Sequence, residues 1–208
     1  MKLRTQRGER YEYVEEERGL SLFSVTQIRK VAYDTYAGIP EDVLEPARVR
    51  GTRLHRRFFF AMASLGGHCE YPKILNGIEG YCASMDRWIQ RRKPRVHRLE
   101  FSSLNMRYGY AGTFDAAVWL MITRVSRKLS VEKLVLMDLK TGAPTKTDAM
   151  QLVAYDHMEG CKSDELMDLY LDADGRDAKE VFVSQGKRAT EWAAFVNAIN
   201  LLRWRTAQ

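Results

Sequence analysis

The chain has 208 residues, of which 45% are hydrophobic and 29% are charged, and its formal net charge is +6. This balance is typical of a soluble globular domain, and no run reaches the roughly 18 uncharged apolar residues of a transmembrane helix. The charged N-terminus lacks the apolar core of a signal peptide. The sequence therefore predicts a cytoplasmic protein with no membrane contact.

Three cysteines, Cys69, Cys82 and Cys161, are widely spaced, and the sequence contains no Cys-x-x-Cys pair. Zinc ribbons and four-cysteine iron–sulfur clusters both depend on closely spaced cysteines. The spacing therefore predicts reduced thiols and no iron–sulfur cluster.

The pattern of the first 94 residues is mainly helical. Residues 1–20 are charged throughout and predict a poorly packed lead-in. Apolar spacing then predicts three helices, over 21–36, about 45–65 and 76–93. Gly51 interrupts the second helix at a cost of about 1 kcal/mol relative to alanine, which a reason such as the close approach of another backbone would justify.

The pattern changes after Pro94. Three strand-like runs, then a helix, two more strands and a closing helix follow, over 95–110, 111–122, 131–140, 145–160, 165–175, 178–186 and 189–204. This order predicts an α/β fold with a mixed β-sheet core flanked by helices. We expect one domain over 21–208, with an N-terminal helical portion of about 21–94 and an α/β core of about 95–208.

The run LVLMDLKTGAP (134–144) is an apolar strand that ends in an acid and a base. Side chains at i and i+2 of a strand project from the same face, so Asp138 and Lys140 lie together at one edge of the sheet. Two interpretations are open. The pair is either a surface salt bridge, worth about 0–1 kcal/mol, or half of an active site.

Asp115, in the preceding strand-like run, supplies a second carboxylate. Neighbouring strands lie about 4.8 Å apart, so Asp115 and Asp138 at matching heights could share one cation. Carboxylate oxygens suit Mg²⁺ or Mn²⁺, and such a cation beside Lys140 suits the hydrolysis of a phosphodiester.

Four further side chains are candidates for the same site. His55 could complete a metal site through its neutral imidazole, although a lone histidine is more often structural. Glu100 stands between apolar neighbours in its strand, either at a solvated edge or aimed at a site. Gln151 and Tyr155 share one helix face at i and i+4, where they could bind a phosphate or a base, or simply pack.

Basic residues are concentrated in two segments, 48–57 and 91–98. Each segment alone is explained equally well as a solvated face, but two segments flanking a candidate site favour a nucleic-acid partner. The residues expected to contact the DNA backbone are Arg53, Arg56, Arg57, Arg91, Arg92 and Lys93.

In order along the chain, these motifs resemble the PD-(D/E)XK nuclease superfamily, most closely its RecB-like branch, which includes phage and mitochondrial exonucleases. Five stretches carry the resemblance: SVTQI (24–28), RGTRLH (50–55), LEFSSLNMRYGYAGTFD (99–115), MDLKTG (137–142) and QLVAY (151–155). Each stretch is weak alone, but the five occur in the order of the family.

The resemblance implies a restriction-endonuclease-like fold and a role for each motif residue. The ligands of Mg²⁺ or Mn²⁺ would be His55, Asp115, Asp138 and the backbone carbonyl of Leu139. Lys140 would be the catalytic lysine, and Glu100 would bind metal or water in the outer part of the site. Gln151 and Tyr155 would position DNA or Lys140.

The implied function is a metal-dependent DNA nuclease, specifically an exonuclease acting on single strands or duplex ends in recombination, repair or phage DNA processing. A recombination or replication protein is an expected partner. The alternative is a nuclease-fold accessory protein that binds DNA without cutting it. A phosphate-binding regulator that uses only the basic helices would not need His55, Asp115 and Asp138 close together.

Overall fold

The computed structural model describes residues 3–7, 11–15, 19–33, 38–124 and 129–207. Over these residues the chain forms eight strands and five helices. In chain order they are β1 (Leu3–Arg7), β2 (Tyr11–Glu15), β3 (Leu20–Ser24), α1 (Val25–Ala32), α2 (Glu41–Leu65), α3 (Glu79–Arg92), β4 (Arg95–Asn105), β5 (Tyr110–Arg124), β6 (Leu129–Lys140), α4 (Asp148–Asp156), β7 (Glu165–Tyr170), β8 (Lys179–Phe182) and α5 (Gln185–Thr206).

The strands form one open, mixed sheet. Its hydrogen-bonded order is β1-β2-β3-β5-β6-β7-β8, and β4 pairs with β5 off this path. β3 runs parallel to β5 and β6 runs parallel to β7, whereas the other pairs are antiparallel. This mixed sheet with flanking helices confirms the predicted α/β fold of the restriction-endonuclease type. Within the described residues, no helix has the length and apolarity that crossing a bilayer requires.

Helices cover both faces of the sheet. α2 and α3 pack on one face, where Leu54 belongs to the same buried cluster as Leu139 of β6. α1, α4 and α5 cover the opposite face, against Leu136. Because successive side chains of a strand point to opposite faces, Asp138 and Lys140 project on the α4 side with Leu136.

The N-terminal segment differs from its prediction as a poorly packed lead-in. β1 and β2 form an antiparallel hairpin that extends the sheet through β3. Tyr13 of β2 is buried, and its hydroxyl lies 3.0 Å from Thr113 Oγ1 in β5. The high charge of this segment favoured a poorly packed lead-in, although Tyr13 points into the core. The rest of the lead-in, over 1–2, 8–10 and 16–18, lies outside the described residues.

Several helix starts also differ from their predictions: α3 begins at Glu79, three residues later, and α5 begins at Gln185, four residues earlier. Residues 21–24 continue β3, and α1 begins only at Val25 because Ser24 and Gln27 form a capping box. The expected end of this helix, over 34–37, lies outside the described residues. α2 begins at Glu41, directly after Pro40, four residues earlier than predicted.

Candidate active site

The candidate site forms where β5 and β6 separate. Their antiparallel pairing ends at Ala116 and Met137, after which β6 continues beside β7. Asp115 follows at the point of separation, and its side chain replaces the missing main-chain partner. Its Oδ2 accepts a hydrogen bond of 2.6 Å from the Leu139 N–H.

Asp115 also links α2 to the sheet, because its Oδ1 lies 2.8 Å from His55 Nδ1. The Asp115 side chain is 11% exposed and the His55 side chain is 35% exposed. Burial would lower the pKa of His55, but the charge and the hydrogen bond of Asp115 outweigh it and raise that pKa to about 9. Burial would raise the pKa of Asp115, but His55 and the Leu139 N–H hold it below its ordinary value.

The backbone is irregular where β4 passes Asp115. Glu100 stands opposite Asp115 in the register, and its φ is +44°, in the left-handed region that few non-glycine residues adopt. The alternation of β5 breaks at the same height, because Phe114 packs on the α4 face and Ala116 on the α2 face. Such strained residues cluster at functional sites and cost about 1–3 kcal/mol each.

His55, Glu100 and Asp115 form a candidate metal cluster. One ligand atom of each lies within 4.8 Å of the other two. An imidazole nitrogen with two carboxylates suits Mn²⁺ or Mg²⁺, so these residues fit a divalent cation. Glu100, expected in the outer part of the site, belongs to this cluster, whereas Asp138 lies outside it.

The backbone of Leu139 faces the same cluster. In a strand, the N–H and C=O of one residue point to the same neighbouring strand. The Leu139 N–H reaches Asp115, so its carbonyl also points to the β5 side, as a metal ligand there would require. The next carbonyl, of Lys140, points to the other side and accepts a hydrogen bond of 2.8 Å from the Leu171 N–H.

Lys140 lies in a pocket on the α4 side of the sheet, with 14% of its side chain exposed. Its Nζ is 2.6 Å from Asp138 Oδ2 and 2.9 Å from Gln151 Oε1, and Asp148 and Asp168 lie 3.7 and 3.9 Å away. Burial would lower the pKa of Lys140, but these three carboxylates outweigh it and raise that pKa. The Asp138–Lys140 pair is therefore buried, and the interpretation as a surface salt bridge is wrong.

Gln151 is bonded at both ends of its amide. Its Oε1 accepts hydrogen bonds from Lys140 and from Arg29 Nη1, at 2.9 and 2.8 Å. Its Nε2 donates to Tyr155 Oη at 2.8 Å and lies 3.4 Å from Asp138 Oδ1. Because two cations share Oε1, the amide has one favourable orientation, and that orientation holds the lysine toward Asp138.

Gly112 allows the Tyr155 ring to reach this position. A Cβ built on Gly112 would lie 2.7 Å from Tyr155 Cε1 and 2.9 Å from Val25 Cγ2. Both distances are shorter than van der Waals contact, so any larger residue would displace the ring. The glycine three residues before Asp115 is thus required by the packing of the tyrosine.

Three charged residues of the lysine pocket were missed at the sequence level: Arg29, Asp148 and Asp168. Asp168 is 2% exposed and pairs in register with Asp138 across β6 and β7. Burial raises the pKa of Asp168 to about 8. An acid inside the apolar run ELMDLY is the same signal that marked Glu100, and it would have identified Asp168.

The basic residues of α2 differ in their exposure. Arg57 is 2% exposed, and its guanidinium donates to both carboxylate oxygens of Asp86, at 2.8 and 2.9 Å. The prediction that Arg57 contacts DNA is wrong, because this side chain ties α2 to α3. Arg53 and Arg56 are exposed and stay candidates.

The second basic segment is largely paired within the protein. Arg91 Nη1 lies 2.5 Å from Asp177, and Arg92 Nε lies 3.0 Å from Glu180. Lys93 is exposed and ends α3 in a left-handed conformation. Of the three residues of this segment that were expected to contact DNA, Lys93 therefore has the most available charge.

Arg50, which was not among the predicted DNA contacts, lies beside the site. Its guanidinium stacks over the Tyr81 ring at 5.7 Å, and the Tyr81 hydroxyl donates to the carbonyl of Thr141, next to Lys140, at 3.4 Å. Among the described residues, Arg50 Nε is buried without a hydrogen-bond partner. An Nε–H without a partner leaves this guanidinium one unused donor, and arginine donors suit phosphate oxygens.

No family model and no curated protein matches the chain. A solved structure, "Crystal structure of SSO0001", resembles it with a TM-score of 0.41 and 17% sequence identity, over 86% of this chain and 75% of that chain. The proposed function therefore depends on the geometry of the site.

Proposed function

We propose that the protein is a Mg²⁺- or Mn²⁺-dependent deoxyribonuclease, an exonuclease that hydrolyses phosphodiester bonds from DNA ends. One observation carries this proposal: residues far apart in sequence converge at the point where β5 and β6 separate. They are His55, Glu100, Asp115, Asp138, Lys140 and Gln151.

His55, Glu100 and Asp115 would hold the cation, with the Leu139 carbonyl directed to the same side. A bound divalent cation supplies Lewis acidity, which offsets the negative charge that develops on the phosphate oxygens. The Leu139 N–H keeps Asp115 in place, since it binds the carboxylate oxygen that His55 does not contact.

Lys140 and Asp138 would act on the attacking water. The raised pKa keeps Lys140 charged, so its ammonium donates hydrogen bonds and offsets charge at the phosphate instead of removing a proton. Gln151 and Asp138 orient that ammonium before substrate arrives. Asp138 is the carboxylate within reach of a water held by Lys140.

The DNA strand would cross the exposed side of α2. Arg53 and Arg56 are exposed there, and Arg50 stacks on Tyr81 near the end of β6. Such contacts bind phosphates without reading sequence, as an exonuclease requires. We place this activity in DNA recombination, repair or phage DNA processing, in the cytoplasm of a bacterium or a phage-infected cell.

The test is a time course on 5′- and 3′-labelled single- and double-stranded DNA, with circular controls, in Mg²⁺ and in Mn²⁺. We expect linear substrates to shorten, circles to persist and a chelator to stop the reaction. Tight DNA binding without cleavage of any substrate would replace the proposal with the accessory-protein alternative.

A further inference from the structure

We propose that Asp168, together with Asp148, forms a second acceptor site for the Lys140 ammonium, which makes Asp168 a positioning residue for the lysine. The inference rests on the proposed function, in which Lys140 acts on the nucleophile. Neither acid belongs to the motifs that identified Lys140.

The geometry shows two sets of acceptors around one ammonium. Lys140 Nζ contacts Asp138 at 2.6 Å and Gln151 at 2.9 Å. Asp148 Oδ1 and Asp168 Oδ1 lie at 3.7 and 3.9 Å, about 1 Å beyond ordinary hydrogen-bond length. If the ammonium keeps its contact with Gln151, a shift of about 1 Å exchanges Asp138 for the two other acids.

Asp168 has an acceptor atom that makes no hydrogen bond in the present arrangement. Asp168 is 2% exposed, and among the described residues its Oδ1 has no hydrogen-bond partner. Buried polar atoms are nearly always paired, and each exception needs an explanation. The ammonium 3.9 Å away supplies one, because Oδ1 is the acceptor that it meets on leaving Asp138.

The second acceptor site is rigid, and the lysine is the part that can move. Asp168 lies in β7, where it pairs in register with Asp138 of β6. Asp148 is fixed at the start of α4, because Oδ2 accepts hydrogen bonds of 2.7 Å from the Thr145 N–H and the Tyr170 hydroxyl. Lysine, in contrast, carries its charge on a flexible four-carbon stem.

This arrangement lets Asp138 turn to a water or a cation without losing the lysine from the cleft. If the second acceptor site were absent, an ammonium released by Asp138 would be held by Gln151 alone. A displacement of about 1 Å in a catalytic group can cost on the order of 10²-fold in rate. Asp168 would therefore act on kcat, through the position of Lys140, and not on substrate binding.

The test compares Asp168→Leu, which removes the acceptor, with Asp168→Asn, which keeps an oxygen acceptor. We expect Asp168→Leu to lower kcat about tenfold or more, with KM for linear DNA and the midpoint of thermal unfolding within error of wild type or higher. Asp168→Asn should restore most of kcat. Wild-type kcat in a folded Asp168→Leu protein would overturn the inference.

A second readout does not depend on activity. The side-chain ammonium of Lys140, labelled with ¹⁵N and assigned with Lys140→Arg, should give a protected NMR signal in the wild type when Mg²⁺ alone is added. That signal should persist in Asp168→Asn and broaden in Asp168→Leu. An unchanged signal in Asp168→Leu would refute the second site even if the wild type cleaves DNA, and the expected pattern would support it even if no DNA is cleaved.

Asp156→Asn is the matched control. Its carboxylate accepts hydrogen bonds from the Ser163 N–H and hydroxyl, both at 2.8 Å. We expect a lower unfolding temperature with unchanged kcat and an unchanged Lys140 signal. If Asp156→Asn lowered kcat as much as Asp168→Leu, the loss would not be specific to the acids around Lys140 and the inference would fail.

Discussion

The candidate site has two halves that differ in the exposure of their side chains. The open half is formed by His55, Glu100 and Asp115, and the closed half surrounds Lys140. His55 has 35% of its side chain exposed and Glu100 is exposed, whereas Lys140 and Asp138 are 14% and 7% exposed. The open half is therefore the more accessible to solvent, and under the proposed function a cation and DNA would enter there. The closed half would be preorganised before either of them binds.

The two halves also differ in their electrostatic interactions. In the open half, the buried carboxylate of Asp115 raises the pKa of His55, which would otherwise be neutral at physiological pH. In the closed half, Asp138, Asp168 and Asp148 surround one ammonium and raise its pKa despite its burial. Changes in the open half should thus alter metal binding, and changes in the closed half should alter rate.

The largest expected effect is in the closed half. Lys140→Ala should lower kcat by about 10²–10⁴-fold while leaving DNA binding nearly unchanged, because the ammonium positions water and offsets charge. Single-turnover cleavage and a DNA-binding assay measure the two effects. Lys133→Ala, in the same strand and paired with Asp164 at 3.6 Å, is the control and should keep full activity. Wild-type cleavage by Lys140→Ala would refute its catalytic role.

In the open half, Asp115→Asn should weaken Mn²⁺ binding by at least about 10-fold, because a carboxylate ligand and the partner of His55 are lost together. Calorimetry on the protein without DNA measures this affinity. Asp164→Asn, which affects an exposed acid paired with Lys133, should bind Mn²⁺ as the wild type does. Equal affinities for wild type and Asp115→Asn would remove Asp115 from the metal site.

The open half should also respond to pH. The pKa of His55 is raised from 6.5 to about 9 in the metal-free protein, and only the neutral imidazole binds a metal. Apparent Mn²⁺ affinity should therefore increase as pH rises from about 7 to 9, and His55→Gln should flatten this dependence. A wild-type profile as flat as that of His55→Gln would show that His55 is not a ligand.

The same shift has an opposite consequence for stability. A cation with a raised pKa stabilises the fold below its ordinary pKa of 6.5, and this contribution is lost as pH rises through about 9. Without metal, the stability difference between wild type and His55→Gln should shrink across this window. Denaturant unfolding at several pH values measures it, and a constant difference would contradict the His55–Asp115 pairing.

The smallest effect is expected for Gly51→Ala. A Cβ there would meet no atom within 4 Å, so no close backbone approach explains this glycine and the substitution should stabilise α2 by about 1 kcal/mol. Gly51 is one turn from His55 on the same face of α2, so we also expect weaker DNA binding. Gly186→Ala in α5, also in open space, should leave DNA binding unchanged. If Gly51→Ala bound DNA as the wild type does, the DNA path would not cross this face of α2.

Much of the fold was predictable because each element carries a local signal. The run ending in Asp138 and Lys140 became the end of β6, and the i, i+4 spacing of Gln151 and Tyr155 became a hydrogen bond between them on one face of α4. β1 and β2 were missed because charged neighbours outweighed the apolar signal of Tyr13. Arg57 was misjudged since sequence does not show that Asp86, 29 positions away, would bury it.

The sequence alone determined which residue types reach the sheet edge and on which face, because strand and helix periods assign side chains to faces without reference to the rest of the chain. Only the tertiary structure decided that β5 and β6 separate at Asp115, that Glu100 joins the candidate metal cluster and that Asp168 Oδ1 lies 3.9 Å from the Lys140 ammonium. Those outcomes depend on strand order, register and burial, which arise from packing between distant segments and leave no local periodicity to detect.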